Sequence, residues 1–415
     1  MLIHVIMNME GINKDRLFLA SCVALVVTAM TFAIRAGIMG ELGNEFGFTN
    51  RQLGTMAKMA FWGFPVAMII GGLIYPKIGP KPLMWVAFAC HVLGLILTIV
   101  ANSFVPFLIS TFFIGLANGA VEAACNPLVA DMYTKNRTTM LNKFHVWFPG
   151  GIVIGSLIAQ AMGSMNMSWQ SQIGIMIIPT IAYGALIIGQ KFPKAENIES
   201  DVSENLKAML NPLFIFIVLC MGLTATTELG TGQFIDPLLK ASGAAPLVIL
   251  AIVTGLMAVG RYYAGPLVHR FNPIGVLFLS AIIATAALYI LSIAQGPMVY
   301  LGAILFSCGV MYFWPTMIGF VSEYTAKTGA LGMSIIGGFG MLITGESLEY
   351  IGGWLDSEKV KAEASGLVGQ AADLAAGQAT LDNIAWLPAI LIIAFGFLFV
   401  FRNRLEEVRI PQDAH

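Results

Sequence analysis

Apolar residues in this chain come in long unbroken runs, and polar residues collect between them. Runs of spanning length lie near 17–40, 52–76, 82–102, 104–131, 140–165 and 170–190. A polar stretch over 191–211 carries Lys191, Lys194, Glu196, Glu199, Asp201, Glu204 and Lys207. Six more runs follow near 212–236, 246–270, 273–295, 297–322, 328–353 and 384–402. A helix needs about 20 apolar residues to cross the hydrocarbon core of a bilayer. The pattern therefore predicts an all-α membrane protein with twelve transmembrane helices: a six-helix bundle over 1–190, a central loop over 191–211, and a second six-helix bundle over 212–415. The stretch 354–383, rich in Ala and Gly, reads as an external loop carrying in part a surface helix.

Composition agrees. The 415 residues are 57% hydrophobic and 11% charged, with a mean hydropathy of +0.81; a soluble domain is about 25% charged. Such a chain has too little polar surface for a cytosolic enzyme, a nucleic-acid binder or a disordered scaffold. The net charge of −1 points to no acidic or basic partner. Cys22, Cys90, Cys125, Cys220 and Cys308 all lie in apolar runs without short spacings, so they read as small buried hydrophobes and not as a disulfide or metal framework. Lys14 and Arg16 precede the first run as in a signal peptide, but that run is too long for one and reads as a retained first membrane helix.

Orientation follows from the basic residues. With the N-terminus inside, sixteen Lys and Arg, among them Lys14, Arg16, Lys77, Lys135, Arg137, Arg261, Arg270 and Arg409, fall on the cytoplasmic side. Four fall outside: Arg51, Lys240, Lys359 and Lys361. This places both termini in the cytoplasm and the chain in the cell (inner) membrane.

The halves resemble each other. Gly72-(x)3-Pro76-Lys77-x-Gly79-Pro80 closes the second helix, and Gly265-(x)3-His269-Arg270-x-Asn272-Pro273 closes the eighth, 193 residues later. Asp131-Met132-Tyr133-Thr134 is echoed by Ser322-Glu323-Tyr324-Thr325 at an offset of 191. Parallel six-helix repeats related by an axis along the membrane normal suit alternating-access transport.

These segments resemble the major facilitator superfamily. The loop after the second helix is similar to its Gly-x-x-x-Asp-Arg-x-Gly-Arg-Lys motif at Gly72, Lys77, Gly79 and Lys81, with Pro76 in place of the acid. Gly119-Ala120-Val121-Glu122-Ala123-Ala124-Cys125-Asn126-Pro127 and Leu141-Asn142-Lys143-Phe144-His145-Val146-Trp147-Phe148-Pro149-Gly150 resemble stretches of the fucose/proton symporter and glucose/galactose transporter group, as does Gly260-Arg261. The resemblance implies the major facilitator fold and sugar transport. It also implies a carboxylate role for Glu122, while the group's second acid, in the first helix, is replaced here by Ala36 beside Arg35.

Ionisable groups within a span are costly, about 2.5–3.5 kcal/mol each on insertion scales, and so are functional candidates. Glu122 has Asn118 and Asn126 one turn to either side, which puts the three on one helix face. Arg35 and Glu228 stand 193 apart at matching places in helices one and seven and read as a pair across the halves. The coupling set is therefore Glu122, Arg35 and Glu228. The substrate-binding set is Asn118, Glu122, Asn126, Asn142, His145, Trp147, Thr227, Gln233 and Trp314, with Trp147 and Trp314 beside prolines in corresponding helices. Lys58 with Glu346 and Glu349 reads as an outer-gate salt bridge.

The sequence offers no enzyme motif, cofactor site or metal site. The expected function is uptake of a hexose or related small sugar by symport with a proton or, failing that, sodium; a monomer suffices for it. The alternatives are export of amphiphilic drugs or organic anions, with Arg35 as an anion clamp, and a nutrient sensor that binds without translocating.

Overall fold

The computed structural model describes residues 11–48, 50–193, 202–233, 238–243, 246–407 and 409. Nearly all of them are helical. The membrane passes, α1 to α12, run in chain order. The first four are α1 (Lys14–Phe46), α2 (Asn50–Ile78), α3 (Pro80–Val100) and α4 (Phe104–Met132). Two broken passes follow, α5 (Arg137–His145, then Trp147–Ser164) and α6 (Trp169–Gly174, then Ile177–Ile187). In the second half, α7 runs from Pro212–Ala225 through a wide turn, Thr226–Gly230. The pass α8 comprises Pro246–Tyr262 and residues 264–271, and α9 covers 273–293. The set closes with α10 (Pro297–Val310, then Phe313–Tyr324), α11 (Gly329–Ala364) and α12 (Gln370–Val400).

Among the described residues, eleven helices are long and apolar enough to cross a membrane. The twelfth pass, α8, is interrupted at Tyr263 and resumes at once, so the expected count of twelve stands. Exposed Leu19, Ile96, Leu157, Ile393 and Val400 give the bundle an apolar exterior suited to lipid.

The internal repeat is visible in the backbone. Gly79 (φ 70°) turns the chain between α2 and α3, and Asn272 (φ 52°), 193 residues later, turns it between α8 and α9, each followed by a proline that opens the next helix. Glycine takes that left-handed conformation freely. Asn272 is tied into it, since its Oδ1 accepts from the Gly275 N–H (3.0 Å) and its Nδ2 donates to Glu406 (3.1 Å).

The same offset corrects one expectation. It carries Trp147 to Gly340 on α11, so Trp147 on α5 and Trp314 on α10 do not occupy corresponding helices.

A second correction concerns 354–383. Helix α11 continues to Ala364 and α12 begins at Gln370, leaving only 365–369 as a turn. The 36 residues of α11 span about 54 Å, beyond the roughly 30 Å core. Alanine, Glu and Lys are strong helix formers, and Lys359 pairs with Asp373 across the hairpin at 2.8 Å. The composition that suggested a loop therefore extends two helices.

Candidate functional site

Glu122 owes its position to glycines. Helices α2 and α4 touch backbone to backbone: a Cβ at Gly115 would lie 2.5 Å from the Ala60 carbonyl oxygen, and one at Gly119 would overlap that of Phe64. Small residues let spanning helices approach in this way. One turn beyond Gly119, Glu122 is 2% exposed.

Its oxygen Oε2 accepts from Asn126 Nδ2 at 2.6 Å, and Asn126 presents its Oδ1 to His145 Nε2 at 3.0 Å. Because that amide oxygen can only accept, His145 carries a hydrogen on Nε2. The same nitrogen stands 3.7 Å from Glu122 Oε2. Three expected residues thus meet in one buried cluster of the first half.

The second half answers with Glu228, which sits in the wide π-helical turn of α7, a distortion frequent at functional sites. Arg261 Nη2 donates to Glu228 Oε1 at 2.7 Å. The remaining guanidinium donors reach main chain: Nε the carbonyl of Met311 (2.5 Å), and Nη1 that of His145 in the opposite half (3.1 Å). Arg261 is 1% exposed. A buried ion pair is better tolerated when further hydrogen bonds satisfy its atoms; here each of the three guanidinium nitrogens has an acceptor, while Glu228 Oε2 is buried without a donor among the described residues.

Several expectations are corrected by this geometry. Glu228 pairs with Arg261 and not with Arg35. Arg35 has no carboxylate partner among the described residues; its guanidinium lies 5.2 Å from the centre of the Phe32 ring, and its buried Nη1 has no hydrogen-bond acceptor. Asn118 shares a helix face with Glu122 but joins another network. Its Oδ1 accepts from His91 Nε2 (2.9 Å), its Nδ2 donates to Thr31, and His91 Nδ1 meets the Tyr183 hydroxyl. An amide oxygen only accepts, so His91 is the donor there.

Thr227 spends its hydroxyl on the Leu223 carbonyl of its own helix. Trp314 is buried beside Gly340 of α11, whereas Trp147 is 40% exposed. Asn142 donates to the Thr138 carbonyl (2.9 Å) and to Thr316 of the other half (3.4 Å), with its Oδ1 buried and unpaired. The side chains of Gln233 and Glu349 lie outside the described residues. Lys58 and Glu346 form the expected cross-half bridge at 3.3 Å.

Sequence reasoning noted Gly260-Arg261 only as a point of resemblance and left Arg261 out of the candidate site, counting it as a cytoplasmic basic charge although it lies nine residues inside Arg270 in an apolar run. It also missed the closure of the Lys- and Arg-rich face. There Arg137 Nη1 donates to the Ser322 carbonyl (3.0 Å), and Glu323 accepts from the Thr138 N–H (3.1 Å), its hydroxyl (2.5 Å) and Arg409 Nη2 (2.8 Å). On that face α5 of one half is bound to α10 of the other.

Known proteins share this architecture. The sequence profile of the Major Facilitator Superfamily matches residues 20–345. The cis,cis-muconate transport protein of Acinetobacter baylyi is 26% identical over 168 residues, 40% of this chain and 40% of that protein. A probable sugar efflux transporter of Helicobacter acinonychis is 23% identical over 259 residues, 60% of this chain and 66% of that one. The chain thus matches less than two thirds of either relative's length. Among solved structures, the E. coli fucose:proton symporter superposes with a TM-score of 0.70 at 18% identity, over 92% of this chain and 98% of that one. A human organic anion transporter gives 0.73 at 12% identity, over 92% and 99%. With twelve helical passes in two repeated halves and a family match over most of its length, the chain belongs to the Major Facilitator Superfamily.

Proposed function

We propose that this transporter imports a hexose or related small sugar by symport with a cation, the proton first and sodium second, as its two halves alternate about the central site. The carrying observation is the buried line from Glu122 through Asn126 and His145 to Arg261 and Glu228, which links an acid of each half. Glu122 has an amide and an imidazole as neighbours and, among the described residues, no Lys or Arg in direct contact, so it can take up and release a proton as the site opens to each side. Glu228 is committed to Arg261.

Two buried acceptors, Glu228 Oε2 and Asn142 Oδ1, have no donor among the described residues. Buried polar atoms are nearly always paired, and sugar hydroxyls supply donors. In this reading the Lys- and Arg-rich face is cytoplasmic, with both termini there and the chain in the inner membrane.

A second reading is favoured by one observation. Arg35 is a guanidinium within a span that, among the described residues, has no carboxylate partner and a buried unpaired Nη1, which suits an organic anion. Radiolabelled hexose uptake into proteoliposomes, under a pH gradient, a sodium gradient or neither, tests both. Accumulation under one gradient supports symport and identifies the ion. Absence of hexose accumulation, with uptake of a carboxylate that Arg35→Gln abolishes, replaces the sugar by the anion. Binding of hexose without accumulation makes the protein a sensor.

A further inference from the structure

In an α-helix the N–H of each residue donates to the carbonyl four residues earlier, and proline has no N–H to give. Pro149 therefore strips the carbonyl of His145 of its helical partner, and Pro315 does the same to Met311. The ladder is intact on either side. Val146 donates to Asn142 (3.1 Å) and Gly150 to Val146 (3.1 Å); Met311 donates to Ser307 (3.0 Å) and Thr316 to Tyr312 (3.1 Å). A buried carbonyl without a donor is costly, more so in a membrane interior.

The two orphaned carbonyls are the two main-chain acceptors of Arg261, Met311 through Nε and His145 through Nη1. One proline-freed carbonyl lies in each half, and a single guanidinium closes over both while Glu228 neutralises it. Gly260 leaves room for the Met311 side chain, whose sulfur a Cβ there would overlap. A planar fork with donors in three directions fits this arrangement; a lysine ammonium does not.

We infer that Arg261 is an inter-half latch whose anchors are created by Pro149 and Pro315, so that these prolines set the balance between the two states of the transporter. The inference rests on the alternating-access reading. The bond from Arg261 to Met311 lies within the second half and persists through the cycle. The bond to His145 crosses the halves and breaks when they part there, leaving the His145 carbonyl without a helical donor. Pro149 thereby favours the latched state.

Spin labels at exposed Met165 and Val368, one on each half, would report the ratio of states by their distance distribution without any substrate. Pro149→Ala restores the helical donor and should shift the ratio away from the latched state by about tenfold or more, the worth of a hydrogen bond to a charged group. In an Arg261→Gln/Glu228→Gln background, which leaves no buried charge unpaired, Pro149→Ala should change the ratio by less than about twofold. Pro388→Ala on α12, whose freed carbonyl belongs to Ile384, should shift neither. Equal shifts in both backgrounds, or no shift in folded Pro149→Ala, overturn the latch while leaving alternation intact. A single unchanged distance in every variant removes the latch and the alternating-access reading together.

Discussion

His145 Nε2 and Glu122 Oε2 stand 3.7 Å apart, and Asn126 is hydrogen-bonded to both. The acid and the imidazole belong to different helices, α4 and α5, and the main chain of the same histidine receives Arg261 from the other half. A change at the carboxylate is therefore three contacts away from the junction between the halves. Coupling through such a chain needs only that the two states hold different partners.

Glu122→Gln keeps a hydrogen-bonding side chain of the same shape and removes the titratable group. Gradient-driven accumulation should fall to its level without a gradient, while exchange of labelled for unlabelled solute persists. Unimpaired accumulation in this variant would end the coupling role of Glu122.

Glu323 is held on the Lys- and Arg-rich face by Thr138 and Arg409. Removing one partner of a buried ion pair costs about 3–5 kcal/mol, and here the cost falls on the state in which α5 and α10 are joined. Glu323→Ala should raise the modification rate of a cysteine placed at buried Ala330 by about a hundredfold or more. An unchanged rate would mean that the contact does not hold this face shut.

Much of this was legible beforehand. The hydrophobic runs gave the passes because lipid permits no other spanning element in so greasy a helical sequence. The 193-residue offset located turns whose backbone proved alike at Gly79 and Asn272. Glu122, Asn126 and His145 were findable because polar residues in apolar runs are conspicuous. Arg261 was not, since an arginine near a span's end is ordinarily a snorkelling or loop charge, and only the packing of α8 against α5 and α10 shows it facing inward. The Arg35–Glu228 pairing failed for a related reason: equivalent positions in two repeats do not have to touch.

The Lys58–Glu346 bridge joins the halves at half-exposed side chains. Exposed pairs are worth about 0.2–1 kcal/mol and are screened by salt. A double-mutant cycle on thermal unfolding in detergent should give a coupling in that range at low salt, vanishing at high salt. A salt-insensitive coupling above about 2 kcal/mol would make this bridge a structural pair in place of a weak gate contact.

Gly119 and Gly150 separate packing from flexibility. A Cβ at Gly119 would overlap the carbonyl oxygen of Phe64, which is backbone and cannot swing aside, whereas nothing lies within 4 Å of one at Gly150. Gly119→Ala must therefore push α2 from α4, at a cost of about 1–3 kcal/mol for overpacking, and it would displace Glu122 one turn away. Gly150→Ala meets open space and replaces glycine by a better helix former, for a gain of up to about 1 kcal/mol. Thermal unfolding in detergent should show the first variant destabilised and the second equal to or above the parent. A destabilised Gly150→Ala would indicate that the bend after Pro149 needs glycine for its conformation, and a stable Gly119→Ala would mean that α2 and α4 are less tightly apposed than their contact distances imply.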